Sequence, residues 1–316
     1  MFNFPGMLIA VIWVCALVGM VRAEDGEGDW REFDKLWNYG DPAGSEMKFR
    51  ELLPLARQGD DPEAHICLLS QIARSQGLQR QFEGADATLD QAETLLTGGM
   101  TLARCRVLLE RGRVLNSSGK REESVPVFLA ALEASEEGGH EFFAVDAAHM
   151  LGIAEKPEQA LEWNMKAIAM AEQARSARAR GWLGPLYNNT GWTWHDMGKF
   201  DEALTLFEKS LAYRESEGQT QGTRIAKWCV ARCLRSQKRS EEALAMQELL
   251  LAEYESGNVE EDGYVFEELG ECLLELGRGE EAGPHFARAH ELLAKDQWLQ
   301  ANEKERLERL KRLGGE

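Results

Sequence analysis

Arginine recurs at one place in the internal register of the chain. Arg74, Arg113 and Arg232 each follow a small residue directly, and His149, Trp192 and Glu271 hold the same place in other copies. A guanidinium is a planar fork of donors that matches a carboxylate, so this pattern suits holding an acid better than bond-making. The groups that make and break bonds are not arranged for it. The chain has no HExxH and no GxSxG, and Gly112…Gly119-Lys120 is two residues too long for a phosphate loop and lacks the following Ser or Thr. His285 and His290 are five apart, which splays them on a helix. The pairs Glu122-Glu123, Glu241-Glu242 and Glu280-Glu281 open predicted helices, where negative charge complements the dipole. Cys229 and Cys233 are four apart on a predicted helix, a spacing at which two thiols could share a metal, but no CxxC exists and free cysteine suits close helix packing. Neither an enzyme nor a metal or cofactor site is expected.

The elements that position these residues are helical hairpins. Tyr187 to Ala212 reads as two amphipathic helices joined at Gly198-Lys199, with Tyr187, Gly191 and Trp194 at i, i+4 and i+7 on one face and Ala203, Phe207 and Ser210 on the other helix. The pattern recurs. First-helix small residues are Ala73, Gly112, Ala148, Gly191, Ala231 and Gly270, and twelve residues after each comes Ala85, Ser124, Ala160, Ala203, Ala243 or Ala282. Four further on, Leu89, Phe128, Phe207 and Phe286 supply a large apolar group, while Asn164 and Gln247 depart.

These residues resemble the tetratricopeptide repeat family, over about two hundred and fifty residues. Successive second-helix anchors from Ser45 to Ala282 are 40, 39, 36, 43, 40 and 39 apart, which is similar to the long repeats of kinesin light chains. The resemblance implies an all-α fold, a right-handed superhelical solenoid of stacked helical hairpins, in which the first helices line a concave groove that receives an extended peptide or a partner helix. The groove candidates it implies are Arg74, Arg113, Asn116, His149, Asn188, Asn189, Trp192, His195, Arg232 and Arg235. Trp194 takes the family's buried aromatic position, whereas Trp192 is expected to face the groove. The expected ligand is a protein segment, acidic if the arginines are free to meet it. The competing expectation is that Glu110, Asp146 and Glu268, each two residues before a small residue, neutralise the arginines from within. The function so implied is a non-catalytic interaction scaffold, with a regulatory sensor of a small ligand or signalling peptide as the alternative.

The net charge of −18 argues against nucleic-acid binding. Residues 1–23 carry an uncharged apolar run and a Val21-Arg22-Ala23 end like a processing site, so a signal peptide or membrane anchor is expected, which would make the protein exported or membrane-anchored. The alternative is a cytoplasmic protein starting at Met20. Residues 24–60 read as an atypical leading hairpin, 61–296 as the repeat array and 297–316 as a C-terminal capping helix whose Trp298 and Leu299 are expected to dock on the last repeat.

Overall fold

Proline and aspartate punctuate the start of the described chain. In the computed structural model, residues 30–257 and 259–315 are described; the expectations for residues 1–23 lie outside them. Among the described residues no helix is long and apolar enough to cross a membrane. The described chain forms two compact units, one up to Leu186 and one from Tyr187 onwards.

The N-terminal unit opens with a 3-10 helix, Trp30–Leu36, followed by α1 (Pro42–Gln58). Three helical hairpins follow: α2 (Pro62–Leu78) with α3 (Phe82–Leu95), α4 (Thr101–Ser117) with α5 (Arg121–Glu137), and α6 (Glu141–Ala154) with α7 (Pro157–Gln173). A single turn, α8 (Ala177–Arg180), leads to α9 (Leu183–Asp196), which runs across the boundary between the units. Asp41 and Asp61 cap α1 and α2 by accepting from the amides of Gly44 and Ala64, and Pro42, Pro62 and Pro157 sit in first turns, where no amide proton is needed.

The C-terminal unit continues with α10 (Phe200–Ser216), the hairpin α11 (Thr220–Ser236) and α12 (Ser240–Ser256), and the hairpin α13 (Gly263–Glu275) and α14 (Gly279–Leu293). The expected capping helix is two helices, α15 (Gln297–Asn302) and α16 (Lys304–Leu313). Leu299, Leu307 and Leu310 are buried there, but Trp298 is 37% exposed, so it does not dock as expected. The Asp296 cap turns it outward, its carboxylate accepting from the Trp298 and Leu299 amides.

One packing rule repeats within both units. A Cβ placed on Gly112, Gly191 or Gly270 would lie within 2.8 Å of the ring of Phe128, Phe207 or Phe286 respectively. The close approach is therefore ring on glycine within a hairpin. The first helices with alanine instead, at Ala73, Ala148 and Ala231, belong to the hairpins that offer Leu89, Asn164 and Gln247. The turn obeys a second rule. Seven residues after five of the six small residues the backbone turns left-handed, at Arg80, Gly119, Gly198, Lys238 and Gly277. The exception is the hairpin whose turn is Glu155-Lys156-Pro157, where proline closes the turn differently and Glu155 stays extended.

This is a tetratricopeptide-type fold: all-α, built of consecutive helical hairpins that stack within each unit and bury one another's apolar faces there.

Candidate functional site

In the N-terminal unit α2, α4 and α6 present one stripe of polar side chains. Arg74 of α2 donates through Nη1 to the Glu110 carboxylate of α4 at 3.3 Å. Arg113, three residues on in α4, donates to the same carboxylate at 2.6 Å and to Asp146 of α6 at 2.5 Å. The Glu110 and Asp146 side chains are only 6% and 8% exposed. Two guanidinium charges thus meet two carboxylates, and the stripe is balanced. His149, one turn beyond Asp146, is buried with its ring 5.3 Å from that of Trp182. Burial pushes its pKa down to about 4; Asp146 opposes the shift and Arg113 adds to it, so the ring is neutral near pH 7. Its Nδ1 and the Trp182 Nε1 have no hydrogen-bond partner. Asn116 stands one turn after Arg113 and is partly buried. The structure therefore links Arg74 and Arg113 through Glu110, and sets His149 one turn beyond Asp146 at the end of that row.

The same unit holds residues that spacing in the repeat register does not reveal. Arg106, side chain 7% exposed, makes a bidentate pair with Asp34 of the 3-10 helix at 3.0 and 2.5 Å. Its guanidinium lies 5.3 Å from the ring of Phe33 and 5.4 Å from that of Phe143. Arg178 of α8 approaches the same aspartate at 3.5 Å and lies over Phe142 at 4.1 Å. One signal was available: Arg106, Glu110 and Arg113 stand at i, i+4 and i+7, so they share a helix face.

In the C-terminal unit the pattern is repeated with the acids on α13. Arg232 meets Glu268 at 3.1 Å and donates to the Ser236 hydroxyl at 2.7 Å. Arg235 pairs with Glu268 at 2.7 and 2.9 Å and with Glu275 at 3.1 Å. Glu267 and Glu271 pair in turn with Arg306 and Arg309 of α16. The side chains of Glu267 and Glu268 are buried, and burial pushes the Glu267 carboxyl up although Arg306 opposes it. Here too arginine is matched by acid, helix by helix.

The tryptophans differ from expectation. Trp192 is 8% exposed, enclosed by the rings of Phe207, His195 and Trp228 at 5.0, 4.9 and 5.9 Å. It is a core residue and not an exposed anchor, while Trp194 is only partly buried. The Trp228 indole donates to the Tyr264 carbonyl at 3.1 Å. His195 shares a 2.9 Å hydrogen bond with Ser236. Asn188 is buried, donating to Asn189 Oδ1 at 3.2 Å and accepting from the Cys229 thiol at 3.3 Å, so its amide is used inside the hairpin stack; Asn189 is partly buried beside it. Cys233 donates to the Phe200 carbonyl instead, so the two thiols serve different acceptors, and burial pushes them to about 12 and 11. An open hollow of about 690 Å³ lies at the α9–α10 turn, lined by Phe200, Asp201, Glu208, Gln237 and Arg239 among others; none of the expected site residues lines it.

The Tetratricopeptide repeat family profile matches residues 186–217. No curated protein matches the chain. Among solved structures, the apo form of RapI is similar at TM-score 0.69 and 12% identity, over 85% of this chain and 76% of that one. A STAND protein with a tetratricopeptide repeat sensor, PH0952 from Pyrococcus horikoshii, is similar at TM-score 0.66 and 13% identity, over 89% of this chain and 46% of that one. Kinesin light chain-type repeats from Podosopora anserina are similar at TM-score 0.51 and 15% identity, over 63% of this chain and 99% of that one. Hairpin register, ring-on-glycine packing and these likenesses agree: the chain has a tetratricopeptide-repeat fold, and its long repeats are similar to those of the kinesin light chain type.

Proposed function

We propose that the protein is a non-catalytic scaffold whose first-helix face in the N-terminal unit holds an extended segment of a partner protein. The observation that carries this reading is the row Arg74, Glu110, Arg113, Asp146 and His149, polar side chains held within a solenoid whose core needs none of them. Desolvated charge pairs cost more than apolar packing of similar volume, so their placement on one face calls for a role beyond stability. Alternating donors and acceptors suit a peptide backbone, which offers both groups at every residue. The balanced charge of the row removes the reason to expect a uniformly acidic ligand. We keep one second reading, a regulatory sensor, because the neighbour from Pyrococcus horikoshii is a protein with a tetratricopeptide repeat sensor. Peptide-display selection on the full chain, with Arg113→Ala as the counter-selected control, tests the proposal. Enrichment of peptides that bind the native chain and lose affinity with Arg113→Ala supports it; selected peptides that bind both proteins equally sink it.

A further inference from the structure

The 3-10 helix and the five residues after it do not behave as a leading member of the stack. A first helix in register would meet α1 and α2 alone. Asp34 instead reaches Arg106 of α4 and Arg178 of α8. Trp37 Nε1 donates to Gln71 of α2 at 2.8 Å, Tyr39 stacks on Trp37 with centroids 4.8 Å apart, and the Arg74 guanidinium lies over the Tyr39 ring at 5.6 Å. Gln71 and Arg74 are one turn apart on α2, and Arg106 shares a face with Glu110 and Arg113 on α4. Residues 33–39 therefore lie along the same face as the polar row.

We propose that this segment is a resident strap, and that the partner is a peptide of the same chemistry, an aromatic followed by aspartate with further aromatics three and five residues on, which binds by displacing it. The inference rests on the scaffold reading above. The seat is built: a bidentate arginine fork flanked by Phe33 and Phe143 fixes one carboxylate. The strap is also removable. Phe33 is buried and Arg31 pairs with Asp60 and Asp61, but Glu32, Lys35 and Tyr39 are exposed, and a seven-residue 3-10 helix has little stability of its own. A tethered segment acts at an effective concentration of order mM, so it excludes weaker ligands supplied in trans.

The test is fluorescence anisotropy of a labelled peptide of residues 30–39, titrated with the full-length protein carrying the native residue, Asp34→Asn or Asp34→Arg. Freeing the seat should tighten binding by on the order of tenfold for Asp34→Arg, with Asp34→Asn between it and the native protein. A peptide whose own aspartate is changed to arginine should not bind either variant. Circular dichroism and hydrogen exchange in α2, α4 and α6 confirm that each variant is folded. Should Asp34→Arg unfold, the isosteric Asp34→Asn protein decides. Affinity equal to that of the native protein, or no binding by the folded variants, overturns the strap. A display-selected peptide that binds Asp34→Asn protein and is not displaced by the 30–39 peptide also overturns the strap, while leaving the scaffold reading intact.

Discussion

Adding one methyl group at Gly112 should be destabilising, and shortening one ring should reverse the sign. A Cβ there would stand 2.4, 2.6 and 2.8 Å from three ring atoms of Phe128, against the roughly 3.5–4 Å of a favourable carbon contact. Phe128 is fully buried and has nowhere to retreat without disturbing the next hairpin. Overpacking of this kind costs about 1–3 kcal/mol, and the upper end applies to a ring without free space. Alanine gains about 1 kcal/mol over glycine in a helix interior. Gly112→Ala should therefore cost about 2 kcal/mol net. In a Phe128→Leu background the ring is gone, the methyl fills part of the vacancy, and Gly112→Ala should be neutral or stabilising by about 1 kcal/mol. The double-mutant cycle should show a coupling of about 3 kcal/mol, well above the roughly 0.5 kcal/mol of independent sites. Urea denaturation followed by circular dichroism, with hydrogen exchange of the α4 amides to localise the effect, measures it. Additive effects would refute ring-on-glycine packing as the rule of these hairpins.

Three further outcomes follow from particular residues. Gln247 is fully buried with neither amide atom hydrogen-bonded, in the place other hairpins fill with Leu or Phe, so Gln247→Leu should raise stability by about 1–3 kcal/mol in the same denaturation assay. Lys238 holds a left-handed backbone with φ of 65° where Gly119, Gly198 and Gly277 stand in equivalent turns, so Lys238→Gly should raise the melting temperature, the relief of about 1–2 kcal/mol exceeding the entropy glycine adds to the unfolded chain. His149 is neutral when folded, with a pKa of about 4 against 6.5 when exposed. Its contribution is full above pH 6.5 and falls as pH drops towards 4, reaching a loss of about 3 kcal/mol at 1.36 kcal/mol per pH unit. His149→Leu should flatten the stability profile between pH 6.5 and 4, and an unchanged profile would show that the imidazole is not desolvated.

The hairpin register was legible because it depends on local periodicity: small residues twelve apart and an apolar residue sixteen apart recur whatever lies outside the hairpin. The partners of the arginines were legible too, since Glu110, Asp146 and Glu268 each stand two residues before a small residue, and Arg74, Arg113 and Arg232 each stand one after. The burial of Trp192 was not. A helix face says which way a side chain points, while its covering ring, Trp228, sits 36 residues away on a different helix. The seat of Asp34 was hidden for the same reason on a longer scale, because Arg106 is 72 residues distant and Arg178 lies outside the hairpins altogether. Repeat rules report stacking between neighbours, and a segment that crosses several repeats leaves no trace in them.

The central claim is that the first-helix face of the N-terminal unit is the surface that holds a partner. Asn116 stands on that face one turn beyond Arg113, whereas Thr205 lines the open hollow at the α9–α10 turn. Isothermal titration of a display-selected peptide against the native protein, Asn116→Arg and Thr205→Arg tests the claim directly. It predicts a loss of about tenfold or more, equivalent to about 1.4 kcal/mol, for Asn116→Arg and an unchanged affinity for Thr205→Arg, with both variants melting as the native protein does. The reverse pattern, affinity lost with Thr205→Arg and kept with Asn116→Arg, would contradict it.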